Sequence, residues 1–120
     1  MIAGVGLTAN VLAKTQVLLG ERNVSDRTEY DTISVGKGRG AFTGLSVKVT
    51  GAAVEFKRIV IHFENGSEQV LRKNWLVGKG NKSRVVDLDG DTRLIDKVVF
   101  RYEARSKGRK GAKIKLFGVR

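Results

Sequence analysis

Apolar residues recur at every second position through most of this chain, and that spacing constrains its fold more than any other feature. Leu45, Val47 and Val49 alternate with Ser46 and Lys48. Successive side chains on a strand point to opposite faces, so such spacing gives one apolar and one polar side. Ala52, Val54 and Phe56 continue the alternation on even positions, whereas Ile59, Ile61 and Phe63 continue it on odd ones. A one-residue slip turns every side chain over, so a bulge or a strand break is required near Lys57-Arg58.

The punctuation between these runs is that of hairpins. Asn65-Gly66 is the strongest turn signal. It predicts a type I′ turn, with φ > 0 at both central residues, joining Arg58–Glu64 to Ser67–Lys73. Trp75, Leu76 and Val77 lead into the glycine-rich Gly78–Lys82, and Trp75 belongs either in the core or under that loop. Arg84–Leu88 reads as a short strand ending at Asp89-Gly90-Asp91. Leu94–Ala104 is a long strand with Val98, Phe100 and Tyr102 on one face, and Ala112, Ile114 and Leu116 mark the last. No segment carries a 3.6-residue apolar stripe of helical length; the nearest, Ala9–Gly20, lacks start and stop signals.

These features predict an all-β fold: a single-domain antiparallel β-sandwich, jelly-roll-like, of about eight or nine strands. The expected core is Val47, Val49, Val54, Phe56, Ile59, Ile61, Val98, Phe100 and Ile114. With 120 residues the chain has the length of one domain. Residues 15–120 form that domain, and 1–14 are an N-terminal lead or the remnant of a signal segment. That lead, MIAGVGLTANVLAK, has small residues suited to a signal peptidase but no basic n-region and only a short apolar stretch. Either Met1 lies inside a longer signal, or Ile2, Val5 and Leu7 form an ordinary strand. No apolar run approaches the ~20 residues that a membrane helix requires.

Composition removes whole classes of chemistry. The chain has no Cys, which excludes disulfides, zinc fingers and thiol nucleophiles, and a single His, which excludes multi-His metal sites. His62 points away from the apolar face of its strand and has no partner in sequence. The serines lack a nucleophile-elbow context. Glu29 and Asp31 share a strand face, where a salt bridge to Arg27 or to a neighbouring strand is the default. Asp87, Asp89 and Asp91 superficially resemble a calcium loop. The glycine precedes the third Asp and no Glu closes the loop, so a turn is expected, with Arg93 paired to Asp87 or Asp91. Gly36–Gly40 and Gly78–Gly80 fit no phosphate-loop pattern and read as flexible. Nothing indicates a catalytic set, a metal or a cofactor.

Charge points to a partner. The net charge is +11, and residues 93–120 hold ten basic and two acidic residues. Such an excess favours anionic partners. A β-hairpin over Lys97–Phe117 would project Arg105, Lys107, Arg109 and Lys110 from its tip, with Arg101, Lys113 and Lys115 along its arms. These seven residues are the expected polyanion-binding set. A basic face kept only for solubility is the bland alternative.

The strand-and-turn pattern resembles a family of small bacterial exported domains of unknown function, the YaaI-like proteins. The residues carrying the likeness are Leu19-Gly20, Arg27–Asp31, Phe42–Val49, Gly51-Ala52, Val54–Phe56 and Asn65-Gly66. It continues through Ser83–Leu88, Gly90, Arg93, Ile95, Val98 and Tyr102. The resemblance spans roughly residues 15–118 and implies export to the periplasm or beyond, behind a signal peptide. It brings no catalytic residues. The expected function is a non-enzymatic, exported domain that binds an anionic surface or envelope polymer. The rivals are a cytoplasmic nucleic-acid-binding module and a structural subunit of an assembly.

Overall fold

The computed structural model describes residues 15–24, 30–72, 74–104 and 112–120. Ten strands and one short 3₁₀ turn, Lys37–Arg39, make up the regular structure among them, with no α-helix. The strands are β1 (Gln16–Asn23), β2 (Tyr30–Ser34), β3 (Ala41–Phe42), β4 (Gly44–Thr50) and β5 (Val54–Phe63). They continue as β6 (Glu68–Leu71), β7 (Trp75–Val77), β8 (Val86–Asp87), β9 (Arg93–Ala104) and β10 (Lys113–Val119). The count exceeds the expected eight or nine because short edge pieces such as β3 and β8, two residues each, pair only briefly. The expected strand at Ile2, Val5 and Leu7 lies outside the described residues.

Two antiparallel sheets result. One has the order β1-β10-β4-β8; the other has the order β2-β9-β5-β6, with β3 also paired to β9 and β7 to β5. The change of parity in β5 is a bulge within one continuous strand. Phe56 faces Tyr102 and Arg58 faces Arg101, so Lys57 is the extra residue. A second shift sets His62 against Lys97 but Phe63 against Ile95, leaving Asp96 as the extra residue of β9. The Asp96 carbonyl accepts from the N–H groups of Val35 and Gly36, at 2.8 and 3.1 Å. Each bulge returns an apolar side chain to the inner face, so Ile95 and Val98 are both fully buried.

All nine expected core residues are buried, and they join one cluster drawn from both sheets that also includes Phe42, Ile95, Tyr102 and Leu116. Phe56 and Phe100 meet at 5.8 Å between ring centroids, tilted by 56°, a favourable aromatic geometry. Close approach demands glycine at position 118. A Cβ there would lie 2.5 Å from the Phe42 ring.

The Asn65-Gly66 hairpin forms, but with a different turn. Gly66 has φ 91° while Asn65 keeps a negative φ. The Gly66 N–H donates to the Phe63 carbonyl and the Phe63 N–H to that of Ser67, at 3.0 and 2.9 Å. This is a type I turn closed by a glycine bulge, in which only one residue needs the left-handed region. Asn65 instead uses its side-chain oxygen to accept from the N–H of Ser67 at 3.0 Å.

The loop read as flexible, Gly78–Gly80, is tied with Asn81 to β4. Val49 donates to the Asn81 carbonyl and Gly80 to that of Val49, at 3.0 and 2.7 Å. Ser83 continues this contact with Val47. Beyond it, β8 pairs with Gly44-Leu45. Together they cover the outer edge of β4, which would otherwise offer unpaired backbone groups.

Truncating Phe56 to Ala removes a fully buried ring from the centre of the core and should cost about 3–5 kcal/mol in urea unfolding. Gly118→Ala should cost about 1–3 kcal/mol through overpacking against Phe42. A melting temperature unchanged by G118A would refute that contact.

Candidate functional site

The structure separates the residues expected to act together. β9 is paired on its two sides with β2 and β5, and β10 with β1 and β4. Neither strand has a free edge for the other, so Lys97–Phe117 is not a paired hairpin: the chain crosses between sheets. Arg101 stands on the six-stranded sheet, opposite Tyr30 and Arg58. Its guanidinium is 5.8 Å from the centroid of the Tyr30 ring. Lys113 and Lys115 stand on the four-stranded sheet. Arg105, Lys107, Arg109 and Lys110 lie outside the described residues.

Lys113 and Lys115 gain new neighbours instead. Because Ile114 and Leu116 point into the core, the intervening lysines point outward. Across the sheet, Glu21, Lys115 and Lys48 sit in direct register on β1, β10 and β4. An isolated bridge from Lys48 to Lys82 extends the row into the loop. Lys113 stands one outward step along β10, with Nζ 3.5 Å from a Glu21 carboxylate oxygen. Lys82 hydrogen-bonds the Gln16 side chain, and its Nζ lies 4.2 Å from the centroid of the Phe117 ring. Among the described residues four ammonium groups thus share one face with a single carboxylate in their row. Like charges directly opposite on a sheet are destabilising, so the arrangement lowers the stability of the sheet that carries it.

Beside this row the edge of the molecule is recessed. One cleft of about 380 Å³ is bordered by Asn74, Trp75, Asn81, Lys82 and Arg84. A second of about 450 Å³ is bordered by Arg72, Trp75, Arg84, Val85 and Asp87. Trp75 and Arg84 belong to both. Trp75 also packs against the hydrophobic core while staying partly buried, and it borders the first cleft together with Gly78, Asn81 and Lys82 of the loop. Lys82 joins the recess to the lysine row.

The remaining motifs are structural. Asp89-Gly90 forms a tight turn: the Asp91 N–H donates to the Leu88 carbonyl at 3.1 Å, and Gly90 and Asp91 have φ of 85° and 76°. Arg93 takes neither Asp87 nor Asp91 as an ion-pair partner. Its guanidinium lies 3.7 Å from the Phe63 ring centroid and donates to the Asp89 carbonyl at 2.7 Å and to the Ser67 hydroxyl at 3.0 Å. Stacking on Phe63 sets its direction, and a carbonyl and the Asn65–Ser67 turn lie within that reach. Gln69 bridges the two sheets, donating to the Asp87 carbonyl and accepting from the Asp89 N–H, at 3.1 and 2.8 Å. His62 has a cross-strand partner that sequence did not supply, with Nδ1 3.3 Å from Glu68. Asp31 accepts from the Tyr102 hydroxyl at 2.6 Å; Arg27 and Glu29 lie outside the described residues. Among the described residues no three His, Cys, Asp or Glu side chains are grouped to hold a metal.

The fold and this face define an all-β domain whose prominent surface feature is a basic, recessed sheet face. The chain belongs to the family described as a domain of unknown function, DUF2541, which matches residues 1–118. No curated protein matches the chain. Among solved structures, the crystal structure of the SPBc2 prophage-derived protein YomS is similar over 90% of this chain and 94% of that one, at 18% identity and a TM-score of 0.47.

Replacing Lys48 with Gln should relieve the repulsion from Lys115 and Lys82. A gain of about 0.2–1 kcal/mol is expected in urea unfolding at low salt, and it should shrink as added salt screens the row. A loss of stability at every ionic strength would refute the repulsive row.

Proposed function

We propose that this domain is a non-enzymatic binding module for an anionic polymer, held on the outer face of the four-stranded sheet. The observation that carries this reading is the alignment of Lys115, Lys48 and Lys82 in one cross-strand row, with Lys113 beside it. Repulsion within the row is relieved when a polyanion binds, and counterion release adds to affinity. The basic segment holding Arg105, Lys107, Arg109 and Lys110 precedes β10 in sequence, and in this proposal its charge adds to the attraction for the polyanion. Arg101 belongs to the other sheet and is dropped from the set. The shared core supports reading the two sheets as a jelly-roll-like β-sandwich. The resemblance to YaaI-like exported bacterial domains supports placing the polymer in the cell envelope. Against this stands the nucleic-acid reading, favoured by Tyr30, which is 57% exposed beside Arg101; unstacked bases seek such a ring.

The test uses single-stranded DNA as a model polyanion, across a salt series. Replacing Lys48, Lys82, Lys113 and Lys115 with Ser should flatten the plot of log affinity against log salt by about 3, at ~0.7 per lost contact. Serine replacements at Arg105, Lys107, Arg109 and Lys110 should flatten it further while leaving the melting temperature nearly unchanged. An unchanged slope in the first variant would refute the lysine row as the site.

A further inference from the structure

Resting on the polyanion reading, we infer that the Trp75 recess is a sugar-ring subsite and that the polymer is an acidic polysaccharide. A pyranose ring needs three things from its site. Its C–H faces need a flat apolar surface, its hydroxyls need groups that both donate and accept, and its carboxylate or sulfate needs a cation. Trp75 supplies the flat surface. It is only partly buried, it packs against the core, and it borders two clefts that Arg84 borders as well. Asn74 and Asn81 border one cleft with amides, which donate and accept at once. Arg84 serves both clefts and Arg72 the second. A guanidinium matches a carboxylate with two parallel hydrogen bonds. Asp87, in the second cleft, is acidic and suits a hydroxyl rather than a carboxylate.

Size and continuity point the same way. The clefts, about 380 and 450 Å³, fall in the range of ~300–1,000 Å³ typical of ligand sites. Both are bordered by Trp75 and Arg84, so adjoining sugar units of one chain could share these two side chains. Lys82 lines the first cleft and stands in the lysine row, so a polymer leaving the recess passes directly onto that row. A nucleic-acid strand needs a stacking ring for successive bases. Among the described residues Trp75 is the one aromatic bordering these clefts, and Phe117 on the row is covered by Lys82.

Trp75 is the single tryptophan of the chain, so its fluorescence reports on the recess alone. The full chain is titrated with an oligogalacturonate, a neutral oligosaccharide of the same length, inorganic polyphosphate and single-stranded DNA. The oligogalacturonate should shift the emission saturably, and the neutral sugar should bind about tenfold or more weaker, as expected for loss of a charge-assisted pair. Polyphosphate should bind without shifting the emission. Arg84→Gln should weaken oligogalacturonate binding by about tenfold with the melting temperature unchanged, since Arg84 is exposed. Trp75→Phe, followed by calorimetry, should weaken it as well, and its melting temperature separates loss of packing from loss of the subsite. Oligogalacturonate binding with no emission change, or with unchanged affinity in Arg84→Gln, would overturn the subsite while leaving the polyanion reading intact. A larger emission shift with single-stranded DNA would replace the sugar by a base. Absence of binding by all three anionic probes at low salt would overturn both readings.

Discussion

Pairing between β5 and β9 runs from Val54 against Ala104 to Phe63 against Ile95, and it is the most extensive register in the molecule. Every other strand of the six-stranded sheet attaches to one of these two. The pairing survives only because two extra residues, Lys57 and Asp96, are accommodated as bulges. Without the first, Ile59 and Ile61 would turn to solvent; without the second, Ile95 or Val98 would. Fully burying such a side chain is worth about 1.5–3 kcal/mol, which is more than the local disruption of a ladder bond. Burial therefore decides the register, and the backbone bends to serve it.

The four-stranded sheet depends on that frame through its inner face and at its edges. Val47, Val49, Ile114 and Leu116 share the core with Phe56, Ile61 and Phe100. Gln69 and Arg93, both on the six-stranded sheet, hold the Asp87–Asp89 segment by its backbone. This fixes the short strand β8 beside β4. The Gly78–Ser83 segment is fixed by β4 itself, and its course brings Lys82 to Lys48 and places Trp75 and Arg84 at a common recess. The polar staple and the apolar core thus cooperate in shaping the face that carries the charge.

That face concentrates charge where folding alone would spread it. Lys48 and Lys115 stand directly opposite each other, although either position would accept Thr or Glu with better cross-strand energetics. Glu21 offsets part of the charge through Lys113. An arrangement that weakens the folded sheet is not accounted for by the fold, and it is the observation on which the proposed binding of an anion rests. It also explains why the polyanion reading rests on the lysine row rather than on the run of basic residues around Gly108 and Gly111.

What the sequence determined by itself was whatever depends on near neighbours. Alternation identified the strands, the parity change called for a bulge or a break near Lys57-Arg58, where a bulge is found, and all nine expected core residues are buried. Asn65-Gly66 marked a hairpin, although the turn type depended on how many residues adopt positive φ, which a dipeptide does not specify. Partnership between distant segments was decided only by the tertiary structure. Arg101 and Lys113 are twelve positions apart yet occupy different sheets, because both edges of β9 were already taken by β2 and β5. Lys48 could be seen to point outward, but nothing in its own strand revealed that Lys115 and Lys82 would flank it. His62 and Glu68, Tyr102 and Asp31, and Arg93 with Phe63 were equally invisible, since each pair is set by strand order or register. Local pattern reports which face a side chain takes, and strand order reports whom it meets. Only the second of these builds a site.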